Sequence, residues 1–288
     1  MAETSALRRI AKTVTGAPAI DGAGVHLVRV IGSKDVKDFD PFLMLDAFDS
    51  VNPADYVKGF PWHPHRGIET VTYLADGEIE HGDSLENVGS ILAGGCQWMT
   101  AGSGIIHQEM PKPAPRMLGL QLWVNMPASR KMADPAYRDL SAGLIPIVTE
   151  RGASVAVIAG NYRGTEGAAR GMYVDATMLA MTIDVGSALE IPVPPDHTVF
   201  VYIIEGSLSF GSDGDAIASR TAVLLADGSA VRLRAVGSDR ARCVLFSGPP
   251  LNEPIAWGGP IVMNTPEELD RAFRELDEGT FIKHGAQV

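Results

Sequence analysis

The chain has 288 residues, 45% of them hydrophobic and 20% charged, enough apolar material for one large domain or two of ordinary size. Its formal charge of −11 and pI near 5.1 argue against direct nucleic-acid binding by phosphate neutralisation, and no Lys/Arg run exceeds Arg8-Arg9. No stretch approaches the ~20 apolar residues of a membrane helix, no signal-peptide pattern opens the chain, and the only cysteines, Cys96 and Cys243, form no CxxC pair, so a cytoplasmic chain with two buried thiols is expected.

In chain order the pattern is one of strands. The 31 glycines and 19 prolines suit many short strands joined by tight turns. Val25 to Ile31 (VHLVRVI) is alternating and β-branched. Glu69 to Leu74 (ETVTYL) alternates before a turn at Ala75-Asp76-Gly77, and Leu118 to Val124 (LGLQLWV) alternates again. Pro127 to Leu140 breaks the pattern with prolines and charges and reads as a linker with a short helical turn. It sets the expected division: an N-terminal domain of residues 1–130 and a C-terminal domain of residues 131–288. Beyond it, Val199 to Ile204 (VFVYII) is apolar throughout, as in a strand buried on both faces. Ala222 to Leu225 and Cys243 to Phe246 are similar short runs.

One helix is predicted near the end. Thr265-Pro266-Glu267-Glu268 is a capping box with proline at the first helical position, and Gly279 is the stop. Leu269, Phe273 and Leu276 form an apolar stripe that needs a hydrophobic surface to cover.

A weak internal repeat is visible. With Gly77 set on Gly206, Tyr73-Leu74-Ala75-Asp76-Gly77 falls over Tyr202-Ile203-Ile204-Glu205-Gly206. His63 and His65 then fall over Pro192 and Pro194, so only the first half is expected to bind metal.

The chemistry concentrates in two pairs. His63 and His65 lie two apart in FPWHPHRG, and residues i and i+2 of a strand share a face, so two imidazoles can converge on one ion. Pro64 removes a backbone donor, which predicts an edge strand or a bulge. His107 and Glu109 form a second i, i+2 pair on an otherwise apolar strand. Buried there, they are costly unless they bind a metal, a proton partner or each other; the plain alternative is a His–Glu hydrogen bond in a polar pocket. Together the pairs make a three-histidine, one-carboxylate set. It suits a mononuclear transition metal such as Fe, Mn, Co, Ni, Cu or Zn, and the absence of thiolate argues against structural zinc. On a six-coordinate ion two positions stay open. Glu69, four residues after His65, shares the parity of His63 and His65 if the strand continues, which points it inward as a further carboxylate in range: a ligand, a group that orients a histidine, or else a plain surface glutamate. His26, His81, His197 and His284 read as ordinary exposed or hydrogen-bonded histidines, and Trp62, Trp98 and Trp123 as core or pocket aromatics.

These residues carry a resemblance. Gly59 to Thr70 (GFPWHPHRGIET) resembles the first metal motif of the pirins, a branch of the cupins, and Gln97 to Pro111 (QWMTAGSGIIHQEMP) resembles their second. Asp40 to Leu43, Leu120 to Asn125 and Leu251 to Trp257 also look like pirin segments. The resemblance runs over nearly the whole chain. It implies an all-β fold of two stacked cupin barrels with a short C-terminal helix, and metal in the N-terminal barrel. It also implies His63, His65, His107 and Glu109 as ligands, with Fe(II) the usual metal and Glu69 outside the set. Some pirins resemble quercetin 2,3-dioxygenases that open flavonol rings with O2; there Glu109 would also serve as the base. Others act with transcription regulators or metabolic enzymes, which implies instead a non-enzymatic metal or redox sensor with a protein partner. A monomer is expected. A deep, aromatic-lined cavity above the metal favours the enzyme; a shallow, closed one favours the sensor.

Overall fold

In a computed structural model of the chain, residues 6–212 and 214–284 are described. The alternating and β-branched runs form strands throughout. Among the described residues the α-helices are a single turn, Val36–Phe39, and Pro266–Asp277, and none is long and apolar enough to cross a membrane.

Two compact units result, and their membership differs from a single cut after residue 130. One unit takes Ala17–Val36, Asp40–Gly143 and the segment from Leu251 onward; the other takes Leu144–Pro250, Lys37–Phe39 and the segment up to Gly16. The reason is strand pairing. Within the expected linker, Ala128–Arg130 is a helical turn, but Ala136–Leu140 is a strand that pairs with Cys96–Thr100 and closes one edge of the histidine-bearing unit. At the other end, Ile10–Thr15 pairs with Thr221–Leu225 in the second unit.

The histidine-bearing unit is built on two large sheets, beside a two-stranded hairpin of Ala256–Gly258 and Ile261–Met263. A seven-stranded sheet runs, edge to edge, through Ala136–Leu140, Cys96–Thr100, Ile68–Asp76, Met117–Asn125, Phe42–Ser50, Val25–Ile31 and Ala17–Asp21. A four-stranded sheet orders Phe60–His65, Ile105–Pro111, Glu78–Asp83 and Val88–Leu92. Val25, Leu27, Phe48 and Leu74 from the first sheet pack on Ile79 and Ile91 from the second, so apolar contact closes one end of the interior.

The C-terminal segment belongs to this same unit, not to the C-terminal domain in which the sequence reading put its helix. Thr265 caps the helix through its side chain, which accepts from the Glu268 N–H, while Glu268 bonds back to the cap. Leu269 and Leu276 pack with Ile261, Met263 and Phe281, so the stripe covers a hairpin of its own segment. Two buried cations tie that segment to the barrel. Arg66 donates to Ser103 O at 2.7 Å and Phe281 O at 2.8 Å, pairs with Glu275 at 2.8 Å, and lies over the Phe281 ring. Lys131 donates to Gly67 O, Asn125 Oδ1 and Val262 O, and burial pulls its pKa down to about 7.

The second unit repeats the two-sheet plan, with sheets of seven and four strands. Gly77 and Gly206, the anchors of the sequence repeat, both have positive φ and both follow the central strands Ile68–Asp76 and Thr198–Glu205.

Candidate metal centre

His63 and His65 sit on Phe60–His65, an edge strand, and His107 on its neighbour Ile105–Pro111. The register sets His107 opposite His63 and Ile105 opposite His65, then shifts between His107 and Glu109, so that Glu109 faces Phe60. The extra residue is a bulge at Pro61 and Trp62, in the strand whose prolines predict an irregular edge. Trp62 is turned outward and half exposed. The three imidazoles converge: their ring centroids are 4.3 to 5.0 Å apart, and one nitrogen from each lies within 4.8 Å of the others.

Their hydrogen bonds set the tautomers. His63 Nδ1 is 2.9 Å from Pro61 O and His65 Nδ1 is 3.0 Å from Pro260 O. A carbonyl only accepts, so both Nδ1 atoms carry the proton and both Nε2 atoms present lone pairs. Those Nε2 atoms are 3.1 Å apart, an approach that is repulsive unless a proton or a cation lies between them. His107 is fully buried, and neither of its ring nitrogens has a hydrogen-bond partner. An unpartnered buried polar group costs about 1–3 kcal/mol. Burial and the neighbouring rings push the pKa of His107 well below the ordinary value, and burial first, then His63, brings His65 to about 3. Neutral imidazoles with converging lone pairs and carbonyl-fixed tautomers are the donor set of a borderline metal ion. The three histidines can hold one.

Glu109 lies on the same face as His107 but outside the close histidine cluster. Its Oε1 accepts from Thr72 Oγ1 at 2.9 Å, and Thr72 Oγ1 is also 2.5 Å from the Gln121 side-chain oxygen. One hydroxyl proton cannot serve both oxygens, so with Glu109 ionised the Gln121 amide turns its NH2 toward Thr72.

Glu69 points elsewhere. The turn at Arg66-Gly67 separates the two strands, so strand parity does not carry from His65 to Glu69. Gly67 has φ +77°, and a Cβ there would sit 2.0 Å from Val262 O, so only glycine fits. Past that turn the inward set is Ile68, Thr70, Thr72 and Leu74. Glu69 is buried with its oxygens on Thr100 Oγ1 at 2.6 Å and Trp98 Nε1 at 3.2 Å.

A cavity of about 800 Å³ opens onto His63, His65 and Glu109. Phe48, Phe60, Trp123 and Trp257 supply its aromatic walls; Arg29, Asp46, Asp21 and Gln121 its polar ones. Trp123 and Trp257 are 5.8 Å apart and the Trp123 ring meets His65 edge-on at 5.0 Å. Trp257 and Pro260 come from the C-terminal segment, whose sequence distance from the histidine motifs hides their role.

His81 departs from its sequence reading. It is buried, stacks on Tyr137 at 4.7 Å, and lies 5.6 Å from the His107 ring, with Asp83 Oδ2 3.5 Å from its Nε2. The signal in the sequence was parity: His81 and Asp83 alternate along Glu78–Asp83, the strand paired to Ile105–Pro111, and His81 faces Glu109. The other three histidines are peripheral. His26 and His284 are exposed beside Asp55 and Asp134, and His197 meets Ser247 Oγ at 3.0 Å.

Comparison with known proteins identifies the family. The family model described as Pirin matches residues 24–124, and that described as Pirin C-terminal cupin domain matches residues 178–282. A pirin-like protein of Caulobacter vibrioides is 42% identical over 96% of this chain and 99% of its own length. Mouse pirin is 38% identical, over 94% of each chain. The crystal structure of quercetin 2,3-dioxygenase from Acinetobacter baumannii superposes with a TM-score of 0.87 at 31% identity, covering 96% of this chain and 99% of that one.

Proposed function

The chain belongs to the pirin family, and from that premise we propose that it is a metal-dependent dioxygenase opening the ring of flavonol-type, quercetin-like substrates with O2. The observation that carries the reading is the cavity: about 800 Å³, walled by four aromatic side chains and open to two of the three converging histidines. A sensor that only reports oxidation state has no use for so large a pocket; a flat aromatic substrate does. The Acinetobacter baumannii relative named for this activity supports the same substrate class.

In this reading His63, His65, His107 and Glu109 hold one divalent ion. Fe(II) is the favoured metal because the donors are nitrogen and oxygen with no thiolate and the site is open to the cavity; Mn, Co, Ni, Cu and Zn are the alternatives. When bound, the ion supplies Lewis acidity that makes a phenolic hydroxyl easier to ionise, and positions for both reactants. The chain does the rest. The Pro61 and Pro260 carbonyls hold the His63 and His65 rings in the ligating tautomer. Glu109 accepts the hydroxyl proton at a carboxylate oxygen, and Thr72 fixes the direction from which it does so. Trp123 and Trp257, in contact with each other at 5.8 Å, form one aromatic wall against which the flat substrate lies and from which it displaces water.

The test is anaerobic reconstitution with Fe(II), then admission of air with quercetin while oxygen uptake and ring opening are followed. Turnover in the parent protein that stops in Glu109→Ala is the expected result. Stoichiometric iron with no turnover on any flavonol sinks the enzyme reading.

A further inference from the structure

Four polar residues are register partners on neighbouring strands of the large sheet. Thr72 faces Gln121, Gln121 faces Asp46, and Asp46 faces Arg29. Directly opposed residues of antiparallel strands share a face, so these side chains form one row across the inside of the barrel. Thr72, Gln121 and Asp46 are each at least nine-tenths buried. A buried polar row is expensive to keep unless it is partnered or used. Its near end is used: Thr72 holds Glu109. At its far end Arg29 forks onto Asp46 with hydrogen bonds of 2.9 and 2.7 Å and reaches Asp21 at 2.7 Å. Asp21 bridges outward to the Gly22 N–H with its other oxygen.

Distance and charge give this far end a role. Adjacent strands are ~4.8 Å apart, so Asp46 stands two spacings, roughly 10 Å, from Thr72. That is comparable with the separation of the oxygens at opposite ends of a flavonol. The cavity wall includes both ends: Glu109 and Gln121 on one side, Asp46, Arg29 and Asp21 on the other. At the far end two carboxylates, Asp21 and Asp46, stand against one guanidinium, so that end of the wall is negative whether or not an ion is held at the histidines, which suits hydroxyl donors. Each carboxylate oxygen has two lone pairs, so Asp21 and Asp46 retain acceptor capacity after their bonds to Arg29.

We propose that the Arg29–Asp46–Asp21 cluster is a second subsite of the cavity that binds hydroxyl groups at the end of the substrate remote from the histidines. The cavity then selects an uncharged two-ring aromatic that is hydroxylated at both ends. Hydrogen bonds to ionised acceptors are about twice as strong as neutral ones. A site built around a hydroxyl also rejects the analogue lacking it more sharply than an apolar wall does, because its own polar groups are left unpaired. The inference rests on the dioxygenase reading for the class of ligand, and the experiment separates the two.

The protein is loaded with Fe(II) under argon and titrated with quercetin and with 3-hydroxyflavone, following tryptophan fluorescence. The second compound keeps the 3-hydroxy-4-oxo end and lacks the distal hydroxyls. Quercetin is expected to bind at least about tenfold more tightly, the value of one or two hydrogen bonds to charged groups. Asp46→Asn should shrink the preference to within about threefold, with the 3-hydroxyflavone affinity and the iron content unchanged. Equal affinities in the parent protein overturn the subsite without recourse to any variant, and so does a variant that weakens both ligands alike. Oxygen uptake in air is recorded on the same samples. A preference for quercetin without ring opening sinks the dioxygenase reading and leaves the subsite standing; ring opening with equal affinities does the reverse.

Discussion

In the histidine-bearing unit the strand Phe60–His65 runs beside Ile105–Pro111, then Glu78–Asp83 and Val88–Leu92; in the other unit Ala188–Pro192 runs beside Ala230–Val236, then Ser207–Phe210 and Ile217–Ala218. The order is the same and the contents are opposite. Where the first unit turns His63, His65 and Glu109 toward one cavity and buries His107 against the two imidazoles, the second buries Leu189, Ile191, Val231, Leu233 and Ala235 in a continuous apolar core with Val155, Val201 and Leu245. The second unit shows that this plan needs no polar interior to form. The polar interior of the first is therefore not a requirement of the fold, and its cost is evidence of use.

That contrast can be broken from either side. Leu245→Ala opens a cavity in the all-apolar core and should cost about 2–5 kcal/mol in urea unfolding while metal stoichiometry stays that of the parent. His107→Leu does the opposite: it makes the first interior resemble the second. It should abolish metal binding, read as metal content after desalting, and stabilise the metal-free protein by about 1–3 kcal/mol, because two unpartnered buried nitrogens are replaced by apolar surface. Full metal occupancy in His107→Leu would remove that residue from the ligand set.

The residues that made this contrast were legible to different degrees. The histidine pairs, the edge strand signalled by Pro64 and the capped helix at Thr265 are local patterns, and local patterns survive folding. The compact units depart from a single division after residue 130 because Ala136–Leu140 is recruited by the edge of Cys96–Thr100, a long-range pairing with no local mark. Glu69 was read as inward because strand parity was carried across Gly67, where the chain turns. The Arg29–Asp46 wall and the Pro260 carbonyl were invisible because each acts only through partners that are distant in sequence or across strands. His81 was readable by its alternation with Asp83, and the polar turn beside it masked the signal.

The buried histidines also give the contrast a pH signature. His65 has a folded pKa of about 3 against an ordinary 6.5. Between those values the unfolded chain binds more protons than the folded one, so the metal-free protein loses stability as pH falls from 6.5 toward 3, with no such loss above 6.5. Each pH unit inside the window costs about 1.4 kcal/mol for each such histidine. Urea midpoints at pH 7, 6, 5 and 4 should therefore fall steadily, and less steeply in His107→Leu, which has one fewer buried imidazole. Identical slopes in the two proteins would mean that His107 does not stay neutral in the fold.

The smallest effect expected concerns Thr72, whose hydroxyl contributes no ligand atom and lies between Glu109 and Gln121. Thr72→Val keeps the shape and removes the hydrogen bond; because Glu109 and Gln121 still face the cavity, the loss should cost about 1 kcal/mol, the low end for buried polar groups that lose a partner. What changes is the freedom of the Glu109 carboxylate. Loss of such an outer partner typically weakens metal affinity by 10- to 100-fold, and because Glu109 sits outside the close histidine cluster the lower end, about tenfold, is expected in competition with a chelator. Thr72→Ser should restore the affinity, since the hydroxyl and not the methyl is the working group. Unchanged affinity in Thr72→Val would separate Glu109 from the metal and leave it the role of proton acceptor alone. The three histidines would then be the whole protein ligand set, with one more position open to the cavity.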